Sequence, residues 1–297
     1  MRIGIDLGGT KIEIIVLDVC GKVIFRHRVA TPQGQYQQTL TAIVDLVKQA
    51  REQAEVETAS IGMGIPGAIS IQSGLVKNAN SVCLIGQPLQ QDLQHLLAQP
   101  IRISNDANCL TVSEATDGAA AGSPVVFGVI LGTGTGGGLA VEQRVLNGAN
   151  AISGEWGHNA MPWCTDETEI KCYCGLSNCI ETFLSGPGML QRFHLQGGRA
   201  KSVEAIISQA HSGDTQAEMF MQKYEHWLAK GLASVINVLD PDAIVLGGGL
   251  SNIDRLYQNV PRIWSEYIFS DQLNTRLLKA KYGDSSGVRG AAWLWPA

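Results

Sequence analysis

The chain opens on an alternation of apolar and polar positions: Ile3, Ile5 and Leu7, then Gly8-Gly9-Thr10, then Ile12, Ile14 and Val16. Period two on both sides of a glycine turn predicts a strand, a tight turn and a second strand. Cys20-Gly21-Lys22 marks another turn, and Val23–Val29 reads as a third strand. The period then lengthens. Leu40, Ile43, Leu46, Val47 and Ala50 recur at helical spacing and predict an amphipathic helix. Ala59–Ile65 reads as a strand closed by Pro66-Gly67, Ile101–Ser104 as a short strand, and Ala107–Ala121 as a helix. A second round begins near Val125. Strand Val125–Leu131 runs into Gly132-Thr133-Gly134-Thr135-Gly136-Gly137, and Leu139–Val145 is again strand-like. After an irregular stretch over 150–188 come helices at 202–212 and 215–238, the latter stopped by Asp240-Pro241. Ala243–Leu246 is a buried strand, Ile253–Ile268 a helix, and Gly287–Leu294 a closing helix. Both halves follow strand, glycine turn, strand, then further strands and helices. This reads as an internal duplication: two similar α/β domains with a cleft between them. The first is expected over 1–118, completed by a C-terminal helix at 285–297, and the second over 119–284.

Composition narrows the classes. At 297 residues, 45% apolar and 16% charged, the chain has material for a large core and none of the marks of disorder. The net charge of −5, without a long basic run, speaks against a nucleic-acid surface. No signal peptide is visible at the N-terminus, and Val125–Ala140 is too broken by glycine to span a membrane. A cytoplasmic protein is expected. Seven cysteines include three gathered as Cys172, Cys174 and Cys179, which suits metal chemistry in a reducing compartment better than a disulfide framework.

Two segments could hold phosphate, Gly4-Ile5-Asp6-Leu7-Gly8-Gly9-Thr10-Lys11 and Gly132 through Leu139, the latter including Gly138. Glycine lets backbone N–H groups approach phosphate oxygens, and threonine hydroxyls add donors. The first fails a Walker A loop, because Thr10 and Lys11 stand in the wrong order and a strand follows. The second formally matches G-x-G-x-x-G, but again a strand follows where the dinucleotide motif needs a helix. Paired hairpins of this kind point to the actin-like, ribonuclease-H-like ATPase plan. Gly247-Gly248-Gly249 is either a floor for adenosine or a strand-to-helix turn.

His158 with Cys172, Cys174 and Cys179 makes a complete tetrahedral set for a structural zinc ion. Closing that set draws Glu155 and Glu181 into one neighbourhood, where carboxylates could accept hydrogen bonds from sugar hydroxyls. Asp106 follows a strand and begins a helix. It is either an N-cap or an ionised carboxylate able to take a proton from a substrate hydroxyl. Asp6 could hold Mg2+ through water.

Together these residues resemble the ROK family of sugar kinases and sugar-responsive repressors, over essentially the whole chain. IGIDLGGTK and LGTGTGGG resemble its phosphate loops, GIPG at 64–67 and SNDAN at 104–108 its sugar motifs, and GEWGH with CYCGLSNCIE its zinc motif. Asn178 stands where the family usually has glycine. The resemblance implies an ATP-dependent hexose kinase with Asp106 as base. It places Gly64, Pro66, Gly67, Asn80, Asn105, Glu155, His158 and Glu181 at the sugar, with His158 serving zinc and sugar through one ring nitrogen each. Within the family, VKNANS and GDSSGVRGAAWLWP resemble bacterial fructokinases (manno(fructo)kinases), which implies fructose as acceptor, with mannose also accepted. N-acetylglucosamine or glucose is the alternative acceptor. A repressor would carry a helix-turn-helix ahead of the first loop, and none is read here. No nucleic-acid or membrane partner is expected, and a homodimer is left open.

Overall fold

The computed structural model of the chain describes residues 1–79, 81–164 and 168–295. The first half runs β1 (Arg2–Leu7), β2 (Lys11–Leu17), β3 (Val23–Ala30), α1 (Tyr36–Gln53), β4 (Ser60–Ile65), a small ribbon of β5 (Ala68–Ile69) and β6 (Val76–Lys77), α2 (Leu89–Leu97), β7 (Ile101–Asn105) and α3 (Asp106–Thr116). The second runs β8 (Val125–Leu131), β9 (Thr135–Val141), β10 (Arg144–Val145), α4 (Glu181–Leu184), α5 (Gly186–Leu195), α6 (Val203–His211), α7 (Thr215–Leu239), β11 (Ala243–Gly247), α8 (Arg255–Trp264), β12 (Arg276–Lys279) and α9 (Ser286–Trp293).

Two five-stranded sheets repeat one order, β3-β2-β1-β4-β7 and β10-β9-β8-β11-β12. In the first, β1, β2 and β3 are antiparallel, while β4 joins β1, and β7 joins β4, in parallel. In the second, β11 is parallel to both β8 and β12. The order third-second-first-fourth-fifth, read twice, is the duplication that the glycine turns suggested. The chain divides into two compact units, Met1–Pro124 with Gly138–Ser153 and Lys281–Ala297, and Val125–Gly137 with Gly154–Ala280. Relative to the expected bounds of 1–118 with 285–297, the first unit also takes residues 119–124, 138–153 and 281–284. The reason lies at Gly138, where an added Cβ would stand 2.6 Å from Thr111 Oγ1 and 2.7 Å from the Ala107 carbonyl oxygen.

The central strands of the first sheet, β1, β2 and β4, are buried on both faces. Ile3, Ile5, Ile12, Ile14 and Val16 share one core with Leu40, Ile43, Leu46 and Val47 of α1. Ile15 and Leu17 pack on Val288 and Ala292 of α9. This is why Ile12–Leu17 is apolar at all but one position, and the exception, Glu13, is buried against Arg26 (2.5 Å) and Arg28 (2.7 Å). Helix α9 lies close because glycines leave it room. A Cβ on Gly4 would come within 2.1 Å of the Val288 carbonyl oxygen, and one on Gly62 within 1.9 Å of that of Ala291. Buried Glu114 on α3 fastens the same C-terminal segment, accepting from the amides of Lys281 (3.0 Å) and Tyr282 (3.4 Å) and from the Ser286 hydroxyl (2.8 Å).

Several elements depart from expectation. The helix read as Ala107–Ala121 ends at Thr116, because Glu114 turns back to accept from the Ala119 amide at 2.8 Å. The strand read as Leu139–Val145 is a hairpin, β9 to β10, turning at Glu142 and Gln143 with φ of 50° and 59°. The helix read as Ile253–Ile268 is the shorter α8. Among the described residues no helix is long and apolar enough to cross a membrane.

Candidate active site and metal centre

In the first unit the chemistry gathers at the ends of β1 and β7. The cap of α3 is Asn105, whose side-chain oxygen accepts from the Asn108 amide at 2.8 Å. Asp106 is the first helical residue, with Oδ1 accepting from the Ala107 amide at 2.8 Å. The capping role thus falls to Asn105, and Asp106 is spared it. It is exposed to solvent, yet the protein around it desolvates the carboxylate and raises its pKa above the ordinary range. The Ala107 amide pulls the other way. Asp6 is pushed from its ordinary 3.8 to about 6, first by burial and then by the like charges of Asp106 and Glu13. Cys109, fully buried beside them, is held well above the ordinary thiol range by desolvation. A crowd of carboxylates of this kind fits a hydrated divalent cation, whose charge would reverse the repulsion.

The turn after β1 is closed by the Gly8 amide donating to the Lys11 carbonyl at 2.9 Å, and Thr31 Oγ1 donates to the Gly8 carbonyl at 2.8 Å. Gly9 and Thr10 are exposed. Gly4, Ile5 and Leu7, expected at the nucleotide, are instead buried strand residues, with Gly4 making room for α9. Gly67 adopts φ 95°, and a Cβ there would meet the Lys77 carbonyl oxygen at 2.5 Å. Gly64 faces Cys109 Sγ and Asp6. Pro66 is half-buried between them in sequence. Asn80 lies outside the described residues.

In the second unit, Thr135 opens β9 and donates its amide to Glu181 Oε2 at 2.8 Å. The Gly186 amide donates to the Gly132 carbonyl at 2.8 Å. The turn after β8 is therefore held by the residues that follow the cysteine cluster, a link the sequence spacing did not announce. Two observations fit a phosphate chain here. Thr135 Oγ1 is buried with no hydrogen-bond partner, and a Cβ on Gly132 would meet nothing within 4 Å. Thr133 is exposed and Gly136 half-buried, its carbonyl accepting from Trp156 Nε1 at 3.1 Å. Gly137 and Leu139, like Gly138, are packing positions: a Cβ on Gly137 would lie 2.6 Å from the Gly154 carbonyl oxygen, and Leu139 is buried. Gly247 ends β11, and Gly248 (φ 82°) would bring a Cβ within 2.4 Å of the Leu131 carbonyl oxygen, so this turn abuts the strand leading into Gly132. Gly249 faces open space.

The ligand atoms of His158, Cys172, Cys174 and Cys179 all lie within 4.8 Å of one another. Cys172 Sγ is 3.6 Å from His158 Nδ1, and Cys174 Sγ is 3.6 Å from Cys179 Sγ. Tetrahedral zinc with thiolates at about 2.3 Å requires sulfur separations near 3.8 Å, so the donor set fits that ion. His158 presents Nδ1 to the cluster and Nε2 to Tyr173 Oη at 3.1 Å. Asn178 explains itself. It adopts φ 52°, the left-handed region where glycine is the usual occupant, and its Oδ1 accepts from the Ile170 amide (2.9 Å) and from Arg192 (3.1 Å). Trp156 anchors Glu155 and His158, packing edge-on to Phe127 at 5.8 Å. Glu155 itself is exposed.

Comparison with known proteins agrees with this layout. The ROK family pattern matches residues 2–297. "N-acetyl-D-glucosamine kinase" of Pectobacterium carotovorum is 40% identical over 300 residues, covering 99% of this chain and 98% of its own. The protein of the same name from Pasteurella multocida is 39% identical over 302 residues, covering 99% of each. Among solved structures, the ROK hexokinase from Thermus thermophilus superposes with a TM-score of 0.88 at 27% identity, covering 99% of this chain and 97% of the other. A ROK family glucokinase from Streptomyces griseus, in complex with glucose and AMPPNP, gives 0.76 at 26% identity, covering 98% and 97%. The fold is the actin-like one of the ROK sugar kinases, and this chain belongs to the ROK family.

Proposed function

We propose that the chain is an ATP-dependent hexose kinase with Asp106 as general base. The observation that carries the reading is the division of labour at the start of α3. Asn105 satisfies the helix amide, so Asp106 can accept the proton of a sugar hydroxyl as that oxygen attacks the γ-phosphorus. Desolvation raises its pKa above the ordinary carboxylate range, which makes it a stronger base than a freely solvated aspartate. Asp6 would orient Mg2+, which supplies neutralisation of the phosphate charge. The amides and hydroxyls of Gly8–Thr10 and Gly132–Thr135 would hold the nucleotide phosphates, and Gly247–Gly249 would border the adenosine. Glu155, Glu181 and His158 Nε2 would receive the sugar hydroxyls, and Gly64, Pro66, Gly67 and Asn105 would flank the sugar. Zinc on His158 Nδ1 and the three thiolates would be structural, fixing the imidazole so that Nε2 can point outward.

The curated relatives favour N-acetyl-D-glucosamine as acceptor over the fructose inferred from sequence. The fructose reading rests on VKNANS and GDSSGVRGAAWLWP. A coupled assay of ADP release with N-acetylglucosamine, fructose, mannose and glucose tests both. The expected result is release that depends on one of these sugars, with slow hydrolysis in its absence because water is excluded from the reacting complex. Rapid hydrolysis indifferent to sugar would overturn the kinase reading.

A further inference from the structure

The first unit holds a cavity of about 490 Å³ that none of the machinery above uses. Gln90, Arg102, Ser104, Gln143, Arg144 and Asn147 supply its polar lining. Val112, Trp293 and Leu294 supply apolar surface. Among the described residues no acidic residue lines it, and neither arginine takes part in an ion pair. In a chain of net charge −5, a cavity with two guanidinium groups and no carboxylate among the described residues is a local reversal of sign.

Two of its polar side chains are held in place. Arg102 lies over the Trp295 ring, 4.2 Å from the centroid, and Nη1 donates to the Leu294 carbonyl at 2.7 Å, leaving the remaining N–H groups for another acceptor. Gln90 Nε2 donates to the Ile101 carbonyl at 2.9 Å, which fixes the amide and leaves Oε1 to accept from a hydroxyl. Arg144 begins β10, paired across from Val141 immediately after the tight turn at Glu142 and Gln143. Guanidinium forks match the oxygen geometry of phosphate, and the amide side chains of Gln90, Gln143 and Asn147 match hydroxyls. The volume suits a ligand of hexose size. The cavity is also adjacent to the base in the chain: Ser104 lies on β7 two residues before Asp106, and Val112 lies on α3, the helix that Asp106 begins.

We propose that this cavity is a regulatory site for a small phosphomonoester, a hexose phosphate of the class that the kinase itself releases. Its identification as product rests on the proposed function, but the anion site does not. Occupancy would bear on β7 and α3 together, and so on the placement of Asp106.

The test is calorimetric titration of the full chain with glucose 6-phosphate, fructose 6-phosphate, N-acetylglucosamine 6-phosphate, inorganic phosphate and glucose. It is run with AMPPNP and the acceptor sugars present in excess, so that binding at the catalytic machinery is suppressed. The variants are Arg144→Gln and Arg144→Lys, at an exposed side chain with no structural bond described. Binding of at least one hexose phosphate should persist, weaken about tenfold or more in Arg144→Gln, and recover in part in Arg144→Lys, which restores the charge without the fork. The turnover of both variants without added phosphoester should match the parent. Binding that AMPPNP and sugar abolish, or that Arg144→Gln leaves unchanged, would overturn the site. Inorganic phosphate binding as tightly as any hexose phosphate would overturn the sugar part of the assignment. A protein that binds the phosphoester through Arg144 yet phosphorylates no hexose would refute the kinase reading and leave the anion site standing.

Discussion

The two sheets share a strand order but treat charge in opposite ways. Where β1 and β7 end, acidic groups are crowded: Asp6 and Asp106 are both held above the ordinary carboxylate range, chiefly by desolvation. Where β8 ends, the turn itself contains no acidic residue. Its carboxylate comes from α4, as Glu181 accepts the Thr135 amide at 2.8 Å. One copy of the plan thus concentrates negative charge beside its first turn. The other presents glycine, threonine and amide groups, positioned by a loop that a metal cluster can pin. Duplication repeats the backbone, and the chemistry is set by what each copy places beside its first turn.

The largest effect expected is on turnover. Asp106→Asn keeps the shape and removes the proton acceptor, so kcat should fall by about 10²- to 10⁴-fold with nucleotide binding retained. In the parent, kcat/KM should decline toward acid through a pKa above the ordinary carboxylate value, because the base must be ionised and burial raises its pKa. A variant with full turnover would remove Asp106 from the chemistry and erase the contrast between the two sheets.

Packing gives the next effect. A Cβ on Gly290 would stand 1.6 Å from the Cys109 carbonyl oxygen, and α9 cannot withdraw without losing Gly4 and Gly62 as contacts. Gly290→Ala should cost about 3 kcal/mol or more, lowering the melting temperature by roughly 6 °C or more. In the second unit Gly157 is the matching test, since its Cβ would lie 2.0 Å from the Thr135 carbonyl oxygen, beneath the turn after β8. Calorimetric scans of both variants show whether each sheet depends equally on a glycine contact.

Asp6→Asn should act in the opposite direction. The folded carboxyl keeps its proton up to about pH 6, whereas the unfolded one releases it near 3.8. Ionisation therefore destabilises the fold, not at all below about pH 4 and fully above about pH 6. The amide should stabilise the protein at pH 7.5 by at most ~3 kcal/mol, while losing activity, and the gain should vanish below about pH 4. Denaturant midpoints at the two pH values measure it. A gain that is the same at both would mean that charge is not the cause.

Much of this was legible because local chemistry and global fold agree. The period-two runs beside a glycine turn gave β1 and β2, the apolar run before the second glycine turn gave β8, and the spacing of Leu40 to Ala50 gave α1. What was hidden depends on partners remote in sequence. Helix α2 shows only Leu89 and Leu93 buried, and β12, with exposed Arg276 and Lys279, reads as a strand only once β11 lies beside it. Gly4 and Gly138 looked like phosphate-loop glycines because spacing cannot tell a ligand from a packed helix. The grip of Glu181 on Thr135 joins residues 46 apart and left no periodic trace.

The smallest effect probes the cysteine-bearing loop of the second unit. Asn178 sits at φ 52°, so glycine would relieve the strain of a side chain in the left-handed region. It would also delete the oxygen that accepts from the Ile170 amide and from buried Arg192. The first effect is worth about 1 kcal/mol in favour of glycine and the second about 1–3 kcal/mol against it, so Asn178→Gly should destabilise by about 1 kcal/mol. Asn178→Ala suffers both penalties and should fall further. Melting temperatures order the three proteins, and zinc content by atomic absorption separates a loosened loop from a lost ion. If glycine equals or exceeds asparagine in stability, Oδ1 contributes nothing net and the residue is only a tolerated substitute at a glycine position. If glycine is weaker and zinc is retained, the loop that carries Glu181 to the Thr135 amide draws part of its rigidity from Arg192, independently of the metal.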